Sequence, residues 1–138
     1  MYTPHTVTLV MTEDDSYNAV VLRGVFLDLS KRSNINRSGL ADADAATLFI
    51  PFYVDAEGKT YLPPKEYAQE QEKGGFWTIF DDGDYSGAEC YFIKGEHAID
   101  IYPFSKAREK HDYCYHVSSV DLRDFGSKSM QHWQVGGK

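Results

Sequence analysis

The chain has 138 residues, 42 % of them apolar and 14 % aromatic, which suits one globular domain and excludes a disordered polar chain. A chain of this size buries roughly two thirds of its unfolded surface, so it can hold a core without covalent staples. Twenty-one acidic against fourteen basic side chains give a formal charge of −7, the wrong sign for a surface that grips nucleic acid through phosphates.

In chain order, "HTVTLVM" alternates Val7 and Leu9 against Thr6 and Thr8, the period of a half-buried strand. "EDDSYN" then reads as a hairpin turn, and "AVVLRGVFLDLS" as a second strand in which Gly24 marks a bulge or a close backbone approach. The stretch 31–45, "KRSNINRSGLADADA", is polar and long for a connection within a small domain. It is expected to be a loop, either a plain surface excursion or a segment that grips a partner or lines a channel. "ATLFIPFYV" follows as a third strand, with Pro51 implying an edge or a bend, and "DAEGK" as a turn into "TYLPP". "PPKEYAQEQEKGG" predicts a helix: proline in the first turn, good helix formers from Lys65 to Lys73, and Gly74-Gly75 as the stop. "FWTIF" predicts a strand, "DDGDYSGAE" an acidic turn and "CYFIKGE" a returning strand. "SKAREKH" predicts a short helix with Ser105 as its N-cap. "DYCYHVSSVDL" and "HWQV" close the chain as strands on either side of "RDFGSKS", with 129–138 as the last strand segment. Strands every 8–12 residues with one or two short helices predict a mainly β domain over 1–138, a small antiparallel barrel or sandwich.

Candidate chemistry along this frame is weak. "DFG" at Asp124–Gly126 occurs in protein kinases, but the glycine-rich loop, strand lysine and catalytic loop are missing. It reads as a turn in which Phe125 packs inward. "HDYCYH" offers His111, Cys114 and His116, yet a strand puts only Cys114 and His116 on one face, two ligands where zinc needs four. "DDGDYSGAE" lacks the glycine and bidentate glutamate register of an EF-hand, and "GDYSG" lacks that of a nucleophile elbow. No phosphate loop, dinucleotide fingerprint, metal set or cofactor motif emerges. Cys90 and Cys114 read as buried reduced thiols rather than a disulfide. The opening after Met1 lacks the basic start and long apolar run of a signal peptide, and "ATLFIPFYV" is too short to span a bilayer. A soluble chain made in the cytoplasm, with no membrane partner, is therefore expected. The stripes Tyr91/Ile93, Tyr113/Tyr115/Val117 and Trp133/Val135 read as core, with subunit contacts as the alternative use of their Tyr and Trp rings.

The wording of the chain in order, "YTPHTVTLV", "VVLRGVFLDL", "GLADAD" before "IPF", "YLPPKEY", "YFIKGE" and "YHVSSVDLRDFGSKSMQHWQVGGK", resembles a family of small proteins. They are encoded in phages and prophages of gut Firmicutes, near capsid and portal genes. That family is similar in layout to head-completion (stopper) and head–tail joining proteins, small β-barrels with one long loop that form a ring below the portal. "FIKGE" at 92–96 matches the late strand of such barrels. The resemblance implies a structural virion protein at the head–tail junction, with no enzyme activity. Its partners would be portal or adaptor and tail proteins, it would be a homo-oligomer in the particle, and double-stranded DNA would pass an acidic lumen without specific binding. A minor capsid or tail-terminator protein is the alternative, and a small enzyme the third. The interface candidates are Asn34, Asn36, Arg37, Leu40, Asp42 and Asp44 in the loop, with Trp133 and Val135 in the last strand. Trp133 is the expected anchor, because one buried Trp can carry a large share of an interface. The last strand would either complete the barrel or extend onto the next ring.

Overall fold

The computed structural model describes residues 2–13, 16–29, 45–80, 88–97 and 103–138. Strands β1 (His5–Glu13), β2 (Ser16–Asp28), β3 (Ala46–Pro51), β6 (Glu89–Lys94), β7 (Cys114–Arg123) and β8 (His132–Gly137) close into an antiparallel barrel in the order β1-β2-β3-β8-β7-β6. Between β3 and β6 the chain makes β4 (Thr60–Tyr61), helix α1 (Pro64–Gln69) and β5 (Phe76–Trp77), with β4 and β5 paired in parallel; helix α2 (Phe104–Lys110) precedes β7. The mainly β barrel with short helices is the architecture expected from the sequence. The 31–45 loop reading falls outside the described residues except at Ala45, whose amide donates to Gly137 O.

Two long strands make the corners. β2 pairs with β1 up to Val25 and with β3 from Phe26, and β7 pairs with β6 up to His116 and with β8 from Val117. A register shift accompanies each exchange. In β2 it falls where His5 faces Val25 and Thr6 faces Arg23, leaving Gly24 unpaired at φ +91°, a backbone that glycine adopts without strain. The bulge expected at Gly24 is therefore present, and it turns the strand from one sheet into the other.

The interior is filled by the inward positions of the six strands, among them Val7, Leu9, Leu22, Leu48, Ile50, Phe92 and Val135. Gly137 faces inward where a Cβ would stand 2.7 Å from Phe92 Cζ and 2.9 Å from Tyr115 Cβ, so the closing strand approaches its neighbours too closely for a side chain. A second cluster lies outside the barrel, where Ala107 and Phe104 of α2 cover Val10, Tyr91, Ile93 and Cys114. β6 is thereby buried on both faces. Tyr91 and Ile93 are core residues, as expected, but of this outer layer.

"FWTIF" departs from expectation. Only Phe76–Trp77 joins a ladder; Trp77, Thr78, Ile79 and Phe80 are all buried, without the alternation of a strand. The amides of Thr78 and Phe80 meet sulfur acceptors instead, Met11 Sδ at 3.2 Å and Cys90 Sγ at 3.1 Å. The stretch therefore plugs the core. α1 is also shorter than the expected Lys65–Lys73, because tertiary bonds override its propensity. Asn18 Nδ2 donates to Lys73 O, Phe76 O and the Tyr67 hydroxyl, and Lys73 pairs with Glu13 at 2.6 Å. In α2 the N-cap is Pro103, not Ser105, and no side chain caps the helix.

The turn between β3 and β4 covers the edge of β2 where β3 has not yet begun to pair. Arg23 and Asp55 exchange backbone bonds, the Glu57 carboxylate accepts from Val21 N at 2.9 Å, and Lys59 Nζ donates to Ala19 O at 2.5 Å. Glu57 adopts φ +58° to do so, a backbone that L residues rarely take.

Candidate docking surface

Sheet residues β2–β3–β8 present a row of rings on the outside of the barrel. In β2 and β3 the inward residues are Leu27, Leu48 and Ile50, so alternation throws Phe26 and Phe49 outward as directly opposed cross-strand partners. Their ring centroids lie 5.7 Å apart. His132, facing outward at the start of β8, continues the row 5.7 Å from Phe49. On the other flank His5 stacks on Phe26 at 5.6 Å, with Tyr2 at 6.2 Å. His5 is held by its own fold contact, Nδ1 accepting from Leu27 N at 3.0 Å. Tyr2 is 76 % exposed. Tyr2, Phe26, Phe49 and His132 line a cleft of about 320 Å³.

Arg123 sits beside this cleft as the cross-strand partner of His132. Its Nε is buried with no hydrogen-bond partner among the described residues, and its guanidinium lies 4.0 Å from Asp121, beyond hydrogen-bond length. The rim therefore offers a partly exposed guanidinium next to an apolar hollow. The β7–β8 turn begins one residue further on. Leu122 is 56 %, Phe125 68 % and Met130 52 % exposed, so Phe125 points to solvent rather than inward. The turn holds its shape by short-range bonds: Gly126 takes φ +86°, Met130 N donates to Ser127 O, and Gln131 Nε2 donates to Gly126 O. Eight residues, 124–131, close the turn between β7 and β8.

The residues singled out in sequence fall differently. Asn34, Asn36, Arg37, Leu40, Asp42 and Asp44 lie outside the described residues. Trp133 and Val135 face the interior at 8 % and 1 % exposure. The Trp133 ring packs against Phe52 and Tyr61, both at 4.5 Å, and Trp77 at 5.5 Å. Of the two roles open to the last strand, β8 takes the first: it completes the barrel between β3 and β7.

The histidine–cysteine group is dispersed. Cys114 lies beneath α2, His116 Nε2 contacts Glu89 Oε2 at 3.0 Å, and His111 packs on His97 at 4.5 Å between ring centroids. Among the described residues no three metal-ligating side chains converge. Both cysteines are free and buried, Cys90 inside the barrel and Cys114 outside it. Burial pushes the Cys90 thiol up to about 12 and the Cys114 thiol to about 11, the latter restrained by the Arg108 charge. Among the described residues no helix is long and apolar enough to cross a membrane.

Over residues 2–138 the chain matches a family described as a family of unknown function, DUF6751. The chain belongs to that family. No curated protein and no solved structure matches it. The match takes in every barrel strand and both flanks of the aromatic row, from Tyr2 to His132.

Proposed function

We propose that this chain is a structural subunit of a phage virion at the head–tail junction, assembling as a ring below the portal. One observation carries the reading: a row of rings on the outside of a filled barrel, exposed at Tyr2 and half-buried at Phe26, Phe49 and His132, that lines a cleft of about 320 Å³. An apolar cleft open at the surface marks a contact site. Tyr and Phe supply contact area at a low entropy cost, as interface cores do. The specific assembly follows from the resemblance of the sequence to the phage family near portal genes. The charge of −7 supports a lumen that repels phosphates, so DNA would slide past without sticking. Ring closure needs one patch on each subunit to fit a different patch on the next.

The test mixes the purified chain with portal rings from the same phage and images them by electron microscopy. Added density with rotational symmetry beneath the portal is expected. A chain that leaves portal rings bare and is found on the capsid or tail of intact particles would overturn this in favour of a minor capsid or tail-terminator protein. Absence from particles would remove the virion reading altogether.

A further inference from the structure

The two exposed apolar features of the sheet are of complementary form, one hollow and one projecting. The hollow is the cleft over Phe26 and Phe49; the projection is the β7–β8 tip, where Leu122, Phe125 and Met130 stand in solvent. We infer that the tip of one copy of this chain fills the aromatic cleft of a second copy, with Phe125 as the inserted ring and Asp124 of the tip paired to Arg123 of the receiving copy. This rests on reading the aromatic row as a contact surface.

Three observations select a second copy as the occupant. The first is size: an apolar cavity of about 150 Å³ accepts a benzene ring, and the cleft measures about 320 Å³, room for a phenyl ring and part of a neighbour. The second is chemistry. Rings favour edge-to-face or offset contact with other rings, and among the described residues Phe125 is the most exposed ring apart from Tyr2. The third is charge. The Arg123 side chain is 41 % exposed beside the cleft, with Asp121 at 4.0 Å, beyond hydrogen-bond length, and the residue preceding Phe125 is an exposed carboxylate. A guanidinium takes a carboxylate through two parallel bonds, so Asp124 arriving with Phe125 supplies what the rim lacks. Within one chain Asp124 follows Arg123 directly, and the carboxylate beside the guanidinium is that of Asp121 at 4.0 Å. Tip and cleft adjoin, since Arg123 pairs with His132, so the contact can be reciprocated about a two-fold or repeated around a ring.

The experiment is sedimentation velocity on the full chain across a concentration series, with circular dichroism confirming that each variant is folded. Wild type should self-associate. Phe125→Asp, which removes the tip, and Phe49→Thr, which empties the cleft, should each weaken association at least tenfold. Tyr2→Ser replaces Phe49→Thr as the cleft variant if the latter does not fold. An equimolar mixture of the tip and cleft variants should form 1:1 complexes, because each supplies the half the other lacks. Arg123→Asp and Asp124→Arg should each weaken association, and the chain carrying both should recover it. A wild type that stays monomeric, variants that associate as wild type does, or a mixture that fails to pair would each overturn the inference. A monomer that still adds density beneath portal rings removes this contact alone; a self-associating chain that ignores portal rings removes the connector reading alone.

Discussion

Replacing Trp133 by alanine separates a residue of the barrel from a residue of an interface. The indole is 8 % exposed and touches the rings of Phe52, Tyr61 and Trp77 at 4.5, 4.5 and 5.5 Å between centroids. Truncating a buried Trp costs about 3–5 kcal/mol through lost transfer energy and the cavity left behind. Three ring contacts, each worth about 0.5–1.5 kcal/mol beyond area, place this case near the top of that range. Domains of this kind are stable by about 5–15 kcal/mol, so the loss takes a third or more of the total. At about 4 °C per kcal/mol for a chain of this length, the melting temperature should fall by roughly 15–20 °C. Thermal melting followed by circular dichroism reads this directly, and Trp133→Phe should fall between the two. A variant melting within about 5 °C of wild type would refute the reasoning, and if it were also defective in assembly, Trp133 would belong to an interface.

Gly137→Ala should destabilise by about 1–2 kcal/mol, a strain of about 1–3 kcal/mol less the gain from removing a strand glycine. Its Cβ would meet Phe92 at 2.7 Å, and Phe92→Leu in the same chain should recover part of the loss in a denaturant titration. Glu57→Ala should cost about 1 kcal/mol, since it strips the acceptor from the Val21 amide while leaving a non-glycine at φ +58°. Faster hydrogen exchange at Val21 checks it, and unchanged protection would refute it. Stability should decline as pH rises above 9, where the unfolded thiols ionise but Cys90 and Cys114 stay protonated toward 12 and 11. The unfolded chain then holds fewer protons, so the slope is negative, up to about 1.4 kcal/mol per pH unit for each group. Tyr67, raised to about 12 chiefly by burial, steepens the fall from pH 10. Denaturant titrations at pH 8, 9 and 10 measure it, and a flat profile would sink it. Deleting residues 34–43, a stretch with little apolar content, should preserve the melting temperature and abolish assembly; infectious particles from the deletion would remove the stretch from the mechanism.

The strands were legible because alternation survives in them. Val7 and Leu9 face the interior and Thr8 the other side, where it bonds Gly95 O, but β1 is buried on both faces rather than half-buried, since Thr8 and Val10 are covered as well. Gly24 announced its bulge because little else explains a glycine within a strand. The plug was misread as a strand because "FWTIF" is apolar, although its consecutive rather than alternating bulk was a warning: Trp77 to Phe80 are buried without a break. The aromatic row was missed for a related reason. "VFLD" and "LFIP" are apolar on both faces, which suits either a doubly buried strand or an outward contact row. Only the closure of the barrel, which leaves Phe26 and Phe49 on its outside, decides between them. The opposite face shows the other outcome, since Tyr91 and Ile93 lie under α2. The stripe Trp133/Val135 reads as core and lies there, whereas the anchor role implied by the resemblance needs an exposed ring and Trp133 is 8 % exposed. Phe125 was expected inside and is 68 % exposed, because the turn that carries it projects beyond the strands it joins.

The position of β8 has a consequence for how the chain finds this structure. It sits between β3, some 85 residues earlier, and β7, so neither sheet can become a ring until residues 132–137 are in place. Pairings over such separations are slow, because loop-closure entropy is spent before the contacts form. During that wait β3 and β7 both carry a bare hydrogen-bonding edge, and Phe92 and Tyr115 lack the close-fitting backbone at Gly137. Such edges recruit strands from other chains. Refolding yield should therefore depend on protein concentration more steeply than the closed native barrel would suggest.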